Sequence, residues 1–457
     1  MFKKCKTVSK MSALPNKIRQ FYKIRRFYMS SLNKLLLTAT LISSAIGLAA
    51  CERLTFANSD VGLDDVVAMP PLVIDAKLPK ATTTIDCEQL TPKQIVKVKG
   101  HSVLSASCDL TAKSIRFELN DSHSSLDCQG ALLSTRTDDE STASAIMIKP
   151  KTGSAIKDIV VANCHVDGYG HALHIRQYSQ PNQRYARGLI DPAANRALAP
   201  SDIRVINVSS QNSINSGMFV GDHVHGVNFD KVRIQNAGTV GLYLEFGSRD
   251  NVIKNSVFIG NGFRTFKPNR EAIAVDSSSN NRIENNQFIH NGAGSILLYR
   301  NCFEHADDQA RGNHFKRTES SRDNIIRGNI FNDEPVGVWV ASRQSRNLKG
   351  FECGAYLLKK TAFASYHLDS AKDNKIIDNR FEQVEQGIIV EDDGTLIAGN
   401  KFAANVRLPI YVGSEIREDS AAGAIKGTVI QNNVFIDKTA EQAIKIREAS
   451  KTATHIE

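Results

Sequence analysis

The sequence predicts an all-β solenoid, in which short coils stack one on another. The first observation is a repeat between Asp250 and Arg300, where DNVIKNSVFIGNG is followed by NNRIENNQFIHNG. Each copy holds two short apolar runs with the alternation of β-strands, and Asn or Gly stands where the runs end. A unit of roughly two dozen residues cannot bury a core alone, so it is expected to stack on its neighbours.

The second observation is that polar and aromatic residues recur at fixed places in successive coils. One asparagine opens the first strand, another precedes an aromatic residue by two positions, and asparagines stacked at a corner can hydrogen-bond to each other while phenylalanines stack inside. We interpret these residues as structural ladders. They are Asn251, Asn281, Asn324 and Asn374; Asn286, Asn329, Asn379, Asn400 and Asn433, with Ser256 as the exception; and Phe258, Phe288, Phe331, Phe381, Phe402 and Phe435.

This N-x-I-x-x-N-x-F pattern resembles the right-handed parallel β-helix superfamily of pectate lyases, polygalacturonases and mannuronan epimerases. The resemblance covers residues 115–447. It implies a single-stranded right-handed parallel β-helix of about ten coils, with an N-terminal cap and long loops flanking one face. We expect a leader at 1–50, a tether at 51–84, the cap and first coil at 85–130, the β-helix at 131–447 and a tail at 448–457.

The excess of Lys and Arg over Asp and Glu is confined to the first fifty residues of the chain. These hold ten Lys and Arg and no Asp or Glu, and removing the ten from the formal charge of +9 leaves −1 for the remainder. A nucleic-acid partner therefore has no support from the charge.

The leader is interpreted as an export signal that ends at a lipidation site. An apolar run from Leu35 to Ala50 closes on Leu48-Ala49-Ala50-Cys51, which resembles the lipobox of bacterial lipoproteins. The resemblance implies a lipidated Cys51 and a protein anchored in the cell envelope, and Glu52 favours the outer membrane, facing the periplasm or the cell surface. Either Met1 or Met29 is the start, and an ordinary cleaved signal or a membrane anchor is the alternative.

Six further cysteines are expected to form disulfides. An even number in an oxidising compartment, with no C-x-x-C spacing, favours disulfides over metal sites. The sequence alone allows fifteen pairings. The repeat alignment favours Cys87–Cys108, Cys128–Cys164 and Cys302–Cys353.

The last strand of each coil is predicted to display two columns of side chains. Each strand starts with a small residue, its second and fourth residues are apolar and point inward, and its third and fifth therefore point outward. Exposed aromatic residues in such a column offer flat faces to sugar rings. The third positions, here called the outer column, are His174, Phe219, Tyr243, Ala274, Leu297, Trp339, Ile389 and Tyr411; the fifth positions, the edge column, are Arg176, Gly221, Glu245, Asp276, Tyr299, Ala341 and Glu391.

Long loops beside these columns are rich in Lys and Arg. They follow Arg176, Gly262, Arg300 and Ser342, and long loops on a regular scaffold commonly carry function. Because residues 51–457 are nearly neutral, bases clustered here favour an acidic polysaccharide as partner. Solvated loop tips are the alternative.

For a uronate polymer the economical reaction is β-elimination, in which a base removes the proton next to the carboxylate and cations stabilise the resulting enolate. Candidates for base or acid are Tyr299, Arg300, His174 and His223, with Glu245 and Asp276 beside them. Candidates for substrate binding are Arg176, Phe219, Tyr243, Arg270, Trp339, Arg343 and Tyr411, and Arg300 is a further candidate for neutralising the carboxylate.

Glu245, Glu271 and Asp276 could instead hold Ca²⁺, because hard oxygens on adjacent coils suit this ion. Related lyases often use calcium, so the resemblance implies the same cofactor.

Three other functions stay open. An epimerase uses the same proton abstraction, although Asp191-Pro192-Ala193-Ala194 departs from the Asp-Pro-His-Asp of mannuronan epimerases. A hydrolase could use Glu245 and Asp276 as a carboxylate pair, although the motifs of polygalacturonases are missing. The third possibility is that the protein is not an enzyme and acts as a glycan-binding or periplasmic accessory protein.

Overall fold

The structure is a computed structural model that describes residues 78–135, 143–151, 154–177, 192–263, 269–300, 302, 319–351 and 353–457. The predicted leader, the lipidation site Cys51 and nearly all of the tether lie outside these residues. Within them, no helix has the length and apolar character needed to span a bilayer.

The first face of the molecule is a parallel sheet with one strand from each coil. It has thirteen strands in the described residues, so twelve coils are followed by the first strand of a thirteenth, compared with the prediction of about ten. The strands are Thr83–Ile85, His101–Leu104, Ser124–Asp127, Lys157–Ala162, Ser201–Ile206, His225–Asp230, Val252–Lys254, Arg282–Glu284, Ile325–Arg327, Lys375–Ile377, Leu396–Ala398, Thr428–Gln431 and Thr454–Ile456.

Two further parallel faces complete each coil, and they are continuous with each other through the long strands Ile330–Val340 and Arg380–Val390. The second face has Leu132–Ser134, His165–Asp167, Ser209–Gln211, Arg233–Gln235, Val257–Ile259, Gln287–Ile289, Lys401–Phe402 and Val434–Phe435. The third face has Ile95–Val98, Arg116–Leu119, Ser144–Ile148, His171–Ile175, Met218–Val220, Leu242–Leu244, Ile273–Asp276, Ile296–Tyr299, Leu408–Val412 and Ile444–Ile446.

The remaining elements are short. One antiparallel hairpin, Leu357–Lys360 with Ser365–His367, interrupts the solenoid after the long strand that ends at Val340. A 3₁₀ turn covers Cys87–Gln89, and short α-helices cover Pro192–Ala197, Glu415–Glu418, Ala440–Ala443 and Glu448–Lys451. The predicted all-β parallel β-helix is therefore confirmed.

Strand pairing begins earlier than the predicted start of the β-helix at residue 131. Thr83–Ile85 already pairs with His101–Leu104, and that strand pairs with Ser124–Asp127. The segment predicted as cap and first coil thus contributes rungs to the same sheets, and the strand Thr454–Ile456 of the predicted tail adds the last rung.

Asparagine ladders fix the corners of the coils. The amide Nδ2 of Asn286 donates to Oδ1 of Asn329 at 3.0 Å, and Asn329 repeats the contact with Asn379 at 3.0 Å. The residue before each ladder asparagine has a left-handed backbone, as at Asn285 (φ 56°) and Asp378 (φ 56°). Asn and Asp tolerate this conformation better than other side chains with a Cβ, which explains their recurrence at the corners.

The core is a column of stacked rings and aliphatic side chains. The rings of Phe258 and Phe288 lie 5.0 Å apart, and those of Phe381 and Phe402 lie 4.6 Å apart. These phenylalanines are fully buried, so the ladder interpretation is confirmed. The three expected disulfides, Cys87–Cys108, Cys128–Cys164 and Cys302–Cys353, are also present.

Candidate functional site

The predicted register of the third face is confirmed residue by residue. Each member of the outer column stands directly opposite the next in the strand pairings from His174 to Tyr411. Pairing also extends the column toward the N-terminus through Met147 and Glu118. The sequence reading missed this extension because it took the strand of Glu118 as part of a cap.

Solvent reaches the ends of the outer column but not its middle. Ala274 and Leu297 are completely buried, and Ile389 is buried as well. His174, Phe219, Tyr243, Trp339 and Tyr411 are half-buried. The column is therefore divided into an accessible N-terminal part and a covered central part.

An aromatic ridge occupies the accessible N-terminal part. The rings of Phe219 and Tyr243 are stacked, with centroids 5.0 Å apart and an interplanar angle of 14°. The His174 ring lies 4.9 Å from Phe219. Because strands on this face hold successive coils in register, these rings form one continuous surface of the kind that sugar rings stack on.

A buried group of polar side chains, here called the tyrosine cluster, occupies the covered central part. The Tyr299 hydroxyl donates to Oε1 of Glu271 at 2.7 Å. Arg270 donates to both carboxylate oxygens of Glu271, at 3.0 and 3.1 Å, and its Nη2 lies 3.1 Å from the Tyr299 hydroxyl. Glu271 is completely buried and Tyr299 is almost so. The pairing is bidentate, which is the strong arrangement for Arg and a carboxylate.

The backbone around Gly262 positions Arg270. Gly262 has φ 91°, and a Cβ there would lie 2.1 Å from the Arg270 carbonyl oxygen. Because glycine has no Cβ, the Arg270 amide can donate to the Gly262 carbonyl at 2.9 Å and close the loop between them.

Asp276 and Arg343 complete the cluster. The Tyr243 hydroxyl donates to Oδ2 of Asp276 at 2.6 Å, and Nη2 of Arg343 lies 3.9 Å from the same oxygen. The Arg343 guanidinium also lies 4.5 Å from the centre of the Tyr299 ring. Arg343 belongs to the segment after Ser342, so this segment contacts the tyrosine cluster, whereas Ala274 and Leu297 pack with Val240 and Tyr299.

The protonation states of the cluster follow from these contacts. Burial acts to raise the pKa of Glu271, but the adjacent Arg270 guanidinium outweighs it, and the pKa falls to about 2. Burial, with the neighbouring Glu271 carboxylate, raises the pKa of Tyr299 far above its ordinary value. At neutral pH Glu271 is therefore ionised, whereas Tyr299 keeps its proton and donates it to Glu271.

A cavity of about 350 Å³ opens at the N-terminal end of the outer column. Two guanidinium groups, two imidazoles, a carboxylate and a thioether line it, together with Phe117, Ala143 and Ser144. These six side chains define the N-terminal cavity: Arg116, Glu118, Met147, His171, His174 and Arg176. The sequence singled out His174 and Arg176 and missed Arg116, Glu118 and His171.

The two imidazoles of this cavity are held neutral. Nδ1 of His171 lies 2.9 Å from the Ser216 carbonyl oxygen, which can only accept, so Nδ1 carries the proton and Nε2 keeps its lone pair. Burial lowers the pKa of His171. Burial, together with His171 and Arg176, lowers the pKa of His174 to about 3.

Arg300 and His223 lie apart from both groups. The Arg300 amide donates to Oδ1 of Asp369 at 2.6 Å, and its Nη2 donates to the Leu368 carbonyl at 2.6 Å, so it holds the segment that follows Ser342. His223 is completely buried, with its ring edge-on to Phe246 at 5.2 Å.

The C-terminal part of the outer column carries Trp339 and Tyr411. The Arg346 guanidinium lies 5.5 Å from the Trp339 ring. Glu391, in the edge column, accepts from the Ser345 hydroxyl at 2.8 Å, and burial raises its pKa to about 8. Burial also raises the pKa of Tyr411.

The expected calcium ligands are engaged by protein groups. Glu271 pairs with Arg270, Asp276 accepts from Tyr243, and Glu245 accepts from the Phe246 amide at 3.0 Å. Among the described residues, no three His, Cys, Asp or Glu side chains gather as a metal site requires. As arranged, this set does not fit Ca²⁺, and metal dependence stays a prediction.

The stacked faces define a right-handed parallel β-helix protein, and comparisons with known proteins agree. A family described as a right handed beta helix region matches residues 144–350. A family described as periplasmic copper-binding protein (NosD) matches residues 301–452. No curated protein matches the chain. The superfamily expected from the sequence is thus confirmed.

Several solved structures are similar to this chain at low identity. DFA-IIIase from Arthrobacter chlorophenolicus A6, in complex with GF2, is 11% identical with a TM-score of 0.47, covering 82% of this chain and 94% of that one. The catalytic domain of a GH87 alpha-1,3-glucanase, in complex with nigerose, is 12% identical with a TM-score of 0.47, covering 82% and 62%. An alginate lyase from Paenibacillus sp. str. FPU-7 is 11% identical with a TM-score of 0.37, covering 82% and 100%. No residue role is taken from them.

Proposed function

We propose that this chain is an exported polysaccharide-active protein that cleaves an acidic, uronate-containing glycan by β-elimination. The observation that carries the proposal is the N-terminal cavity, where two guanidinium groups and two neutral imidazoles meet the end of an aromatic ridge. Phe219 and Tyr243 offer stacking faces to the sugar rings, and the guanidinium groups suit a carboxylate, to which Arg binds in a bidentate manner.

Arg176 and Arg116 supply the positive charge that the reaction needs. A carboxylate held by these side chains withdraws electrons from the neighbouring carbon and makes its proton easier to remove. The positive field of Arg176, which helps to lower the pKa of His174, is neutralised when the anionic group arrives. The imidazole of His174 therefore becomes a stronger base once the substrate is bound.

His174 takes the proton from the carbon that bears the carboxylate. The electron pair of that bond forms a double bond to the next carbon, whose bond to the glycosidic oxygen breaks. The leaving oxygen takes a proton from water, and the new chain end is an unsaturated uronate. His171, whose Nδ1 is fixed on the Ser216 carbonyl, presents its Nε2 lone pair and holds a hydroxyl of the sugar.

The test is incubation of the full chain with polygalacturonate, alginate and a neutral glucan, followed by ultraviolet absorbance of unsaturated ends. We expect product from an acidic polymer only. The substitution His174→Ala should lower kcat/KM by about 100-fold or more, the range for losing a general base. The control is His165→Ala, in the same coil but on the second face, where the ring contacts Ser209.

Each other outcome assigns one of the remaining functions and contradicts elimination. New reducing ends without absorbance indicate a hydrolase, and a changed uronate composition without cleavage indicates an epimerase. Binding without any product, read from the fluorescence of Trp339, indicates a glycan-binding protein. The paired and buried state of the tyrosine cluster favours this last function if the cavity proves inactive.

Location in the cell envelope belongs to the same proposal. The match to a family described as periplasmic supports export. We propose that Cys51 carries the lipid, so Cys51→Ala should move the protein from the detergent phase to the aqueous phase in a phase-partition experiment. Retention of the variant in the detergent phase would contradict lipidation at this residue.

A further inference from the structure

The antiparallel hairpin after Val340 forms, with its flanks, a small unit outside the regular coils, here called the basic hairpin (residues 346–368). The disulfide Cys302–Cys353 ties it down. Beneath it, Leu348 and Ala355 pack with these cysteines in a small apolar cluster of their own. The hairpin is therefore held in place by its own core and is not a loose connection.

The basic hairpin concentrates exposed apolar side chains. The described residues include eleven exposed large hydrophobic side chains, and four of these belong to the hairpin. Phe363 is 85% exposed, the most of the eleven, and it lies at the turn between the two strands. The other three are Phe351, Tyr356 and Leu357.

The turn is built to keep Phe363 outward. The hydroxyl Oγ1 of Thr361 accepts from the amides of Phe363 at 3.2 Å and Ala364 at 3.0 Å. The Thr361 amide also donates to the Ala364 carbonyl at 2.8 Å. Ala362 and Ala364 flank Phe363 in the sequence, so three consecutive side chains at the tip are apolar.

Positive charge surrounds this apolar tip. The segment 346–368 has the bases Arg346, Lys349, Lys359 and Lys360 against the single acid Glu352, whereas residues 51–457 are nearly neutral. Lys359 and Lys360 are exposed beside the turn, and Nζ of Lys349 donates to the Ala362 carbonyl at the tip. Three of these cations, Lys349, Lys359 and Lys360, thus form a belt of lysines next to the aromatic residue, whereas the Arg346 guanidinium lies over Trp339.

We propose that the basic hairpin docks on an anionic lipid bilayer, with the Phe363 ring in the headgroup and acyl boundary and the lysines on lipid phosphates. An apolar tip above a belt of lysines matches the layering of a membrane interface. The polar side chains nearest the ring, those of Asn347, Lys349 and Thr361, are engaged with the backbone of the turn, which leaves them less suited to bind a sugar polymer. This proposal rests on the lipidation proposed above for Cys51, because a lipidated chain is already held at a bilayer.

The experiment places a reporter at the tip of the full chain. In Phe363→Trp the new indole is measured against the wild-type chain, whose single Trp339 gives the background. The probes are vesicles of phosphatidylcholine, with and without phosphatidylglycerol, that carry brominated acyl chains. We expect about twofold quenching of the new indole by the anionic vesicles and little by the neutral ones.

Charge variants separate the hairpin from other membrane contacts. Lys359→Gln with Lys360→Gln should abolish the quenching, whereas Lys375→Gln with Lys401→Gln, which removes two exposed lysines from regular strands, should leave it. Equal quenching in both double variants overturns the proposal, as does no quenching by anionic vesicles. A response of the indole to acidic polysaccharide but not to vesicles also overturns it and assigns the hairpin to glycan binding.

Discussion

The tyrosine cluster and the N-terminal cavity occupy equivalent positions on the third face, yet their chemistry differs. In the cluster, Glu271 and Asp276 are satisfied by Arg270 and Tyr243, and the segment carrying Arg343 covers them. In the cavity, the cations and imidazoles line open space of about 350 Å³. Whether a side chain at such a position on a β-helix is buried and paired or accessible to a ligand therefore depends on the loop that lies over it. The residue type alone does not determine this.

Removal of Arg270 should cause the largest loss of stability, and it should disrupt the tyrosine cluster but not the N-terminal cavity. Arg270→Ala leaves the Glu271 carboxylate buried without its cation, so we expect a loss of about 3–5 kcal/mol in the free energy of unfolding. Urea denaturation followed by circular dichroism measures it. Arg282→Ala, which removes an exposed partner of Glu284, is the matched control and should cost less than about 1 kcal/mol.

Arg176→Ala is the corresponding change in the cavity. Arg176 lines open space, so stability should change by less than about 1 kcal/mol while the affinity for acidic glycan falls. If Arg176→Ala destabilised the chain as much as Arg270→Ala, the contrast between the two regions would be wrong.

Acid should weaken the cluster through Glu271. The pKa of Glu271 falls to about 2 in the folded chain, below its ordinary value of 4.5. The stabilisation is thus fully present above about pH 4.5 and is lost as the pH falls toward 2, which corresponds to about 3 kcal/mol. The urea midpoint of the wild-type chain should therefore decrease as the pH is lowered from about 4.5 toward 2. In Glu271→Gln the midpoint should depend less on pH over this range.

A buried acid elsewhere on the face should give the opposite slope. The pKa of Glu391 is raised to about 8, so the folded chain binds more protons than the unfolded chain between about pH 4.5 and pH 8. Stability contributed by Glu391 therefore decreases as the pH rises through this window. An unfolding midpoint that rose steadily from pH 5 to pH 8 in wild type and in Glu391→Gln alike would contradict this assignment.

The sequence was sufficient to predict the fold because the same residue pattern recurs in each coil of a solenoid. Asn286, Phe288 and Ile296 each recur in register, and the columns and all three disulfides followed from aligning the coils. The same alternation could have placed Glu118 in the outer column. His171 could not have been found in this way, because it is the first residue of the strand His171–Ile175 and alternation gives it the same parity as the inward residues Leu173 and Ile175.

The burial of the edge-column residues Tyr299 and Asp276 could not be predicted from the sequence, because it depends on loops that do not repeat. Nothing in the repeat indicates that Arg343 would lie 4.5 Å from the Tyr299 ring, or that Asp369 would accept the Arg343 amide at 2.9 Å and hold that segment down. The sequence reading therefore singled out Tyr299 and Asp276 as exposed acids and bases, whereas both are buried.

The smallest effect concerns the aromatic ridge, which extends from the cavity toward the cluster. Phe219→Leu keeps an apolar side chain of similar volume but removes the flat face beside Tyr243, so stability should change by less than about 1.5 kcal/mol. Stacking of a ring contributes about 0.5–1.5 kcal/mol, and affinity for an acidic oligosaccharide should fall by about 2- to 10-fold, measured by calorimetry. The control Phe263→Leu changes an exposed ring in the segment after the second-face strand Val257–Ile259, where it stacks on His290. Equal affinity in the wild type, Phe219→Leu and Phe263→Leu would mean that the glycan does not bind along the aromatic ridge. The N-terminal cavity would then be an isolated site.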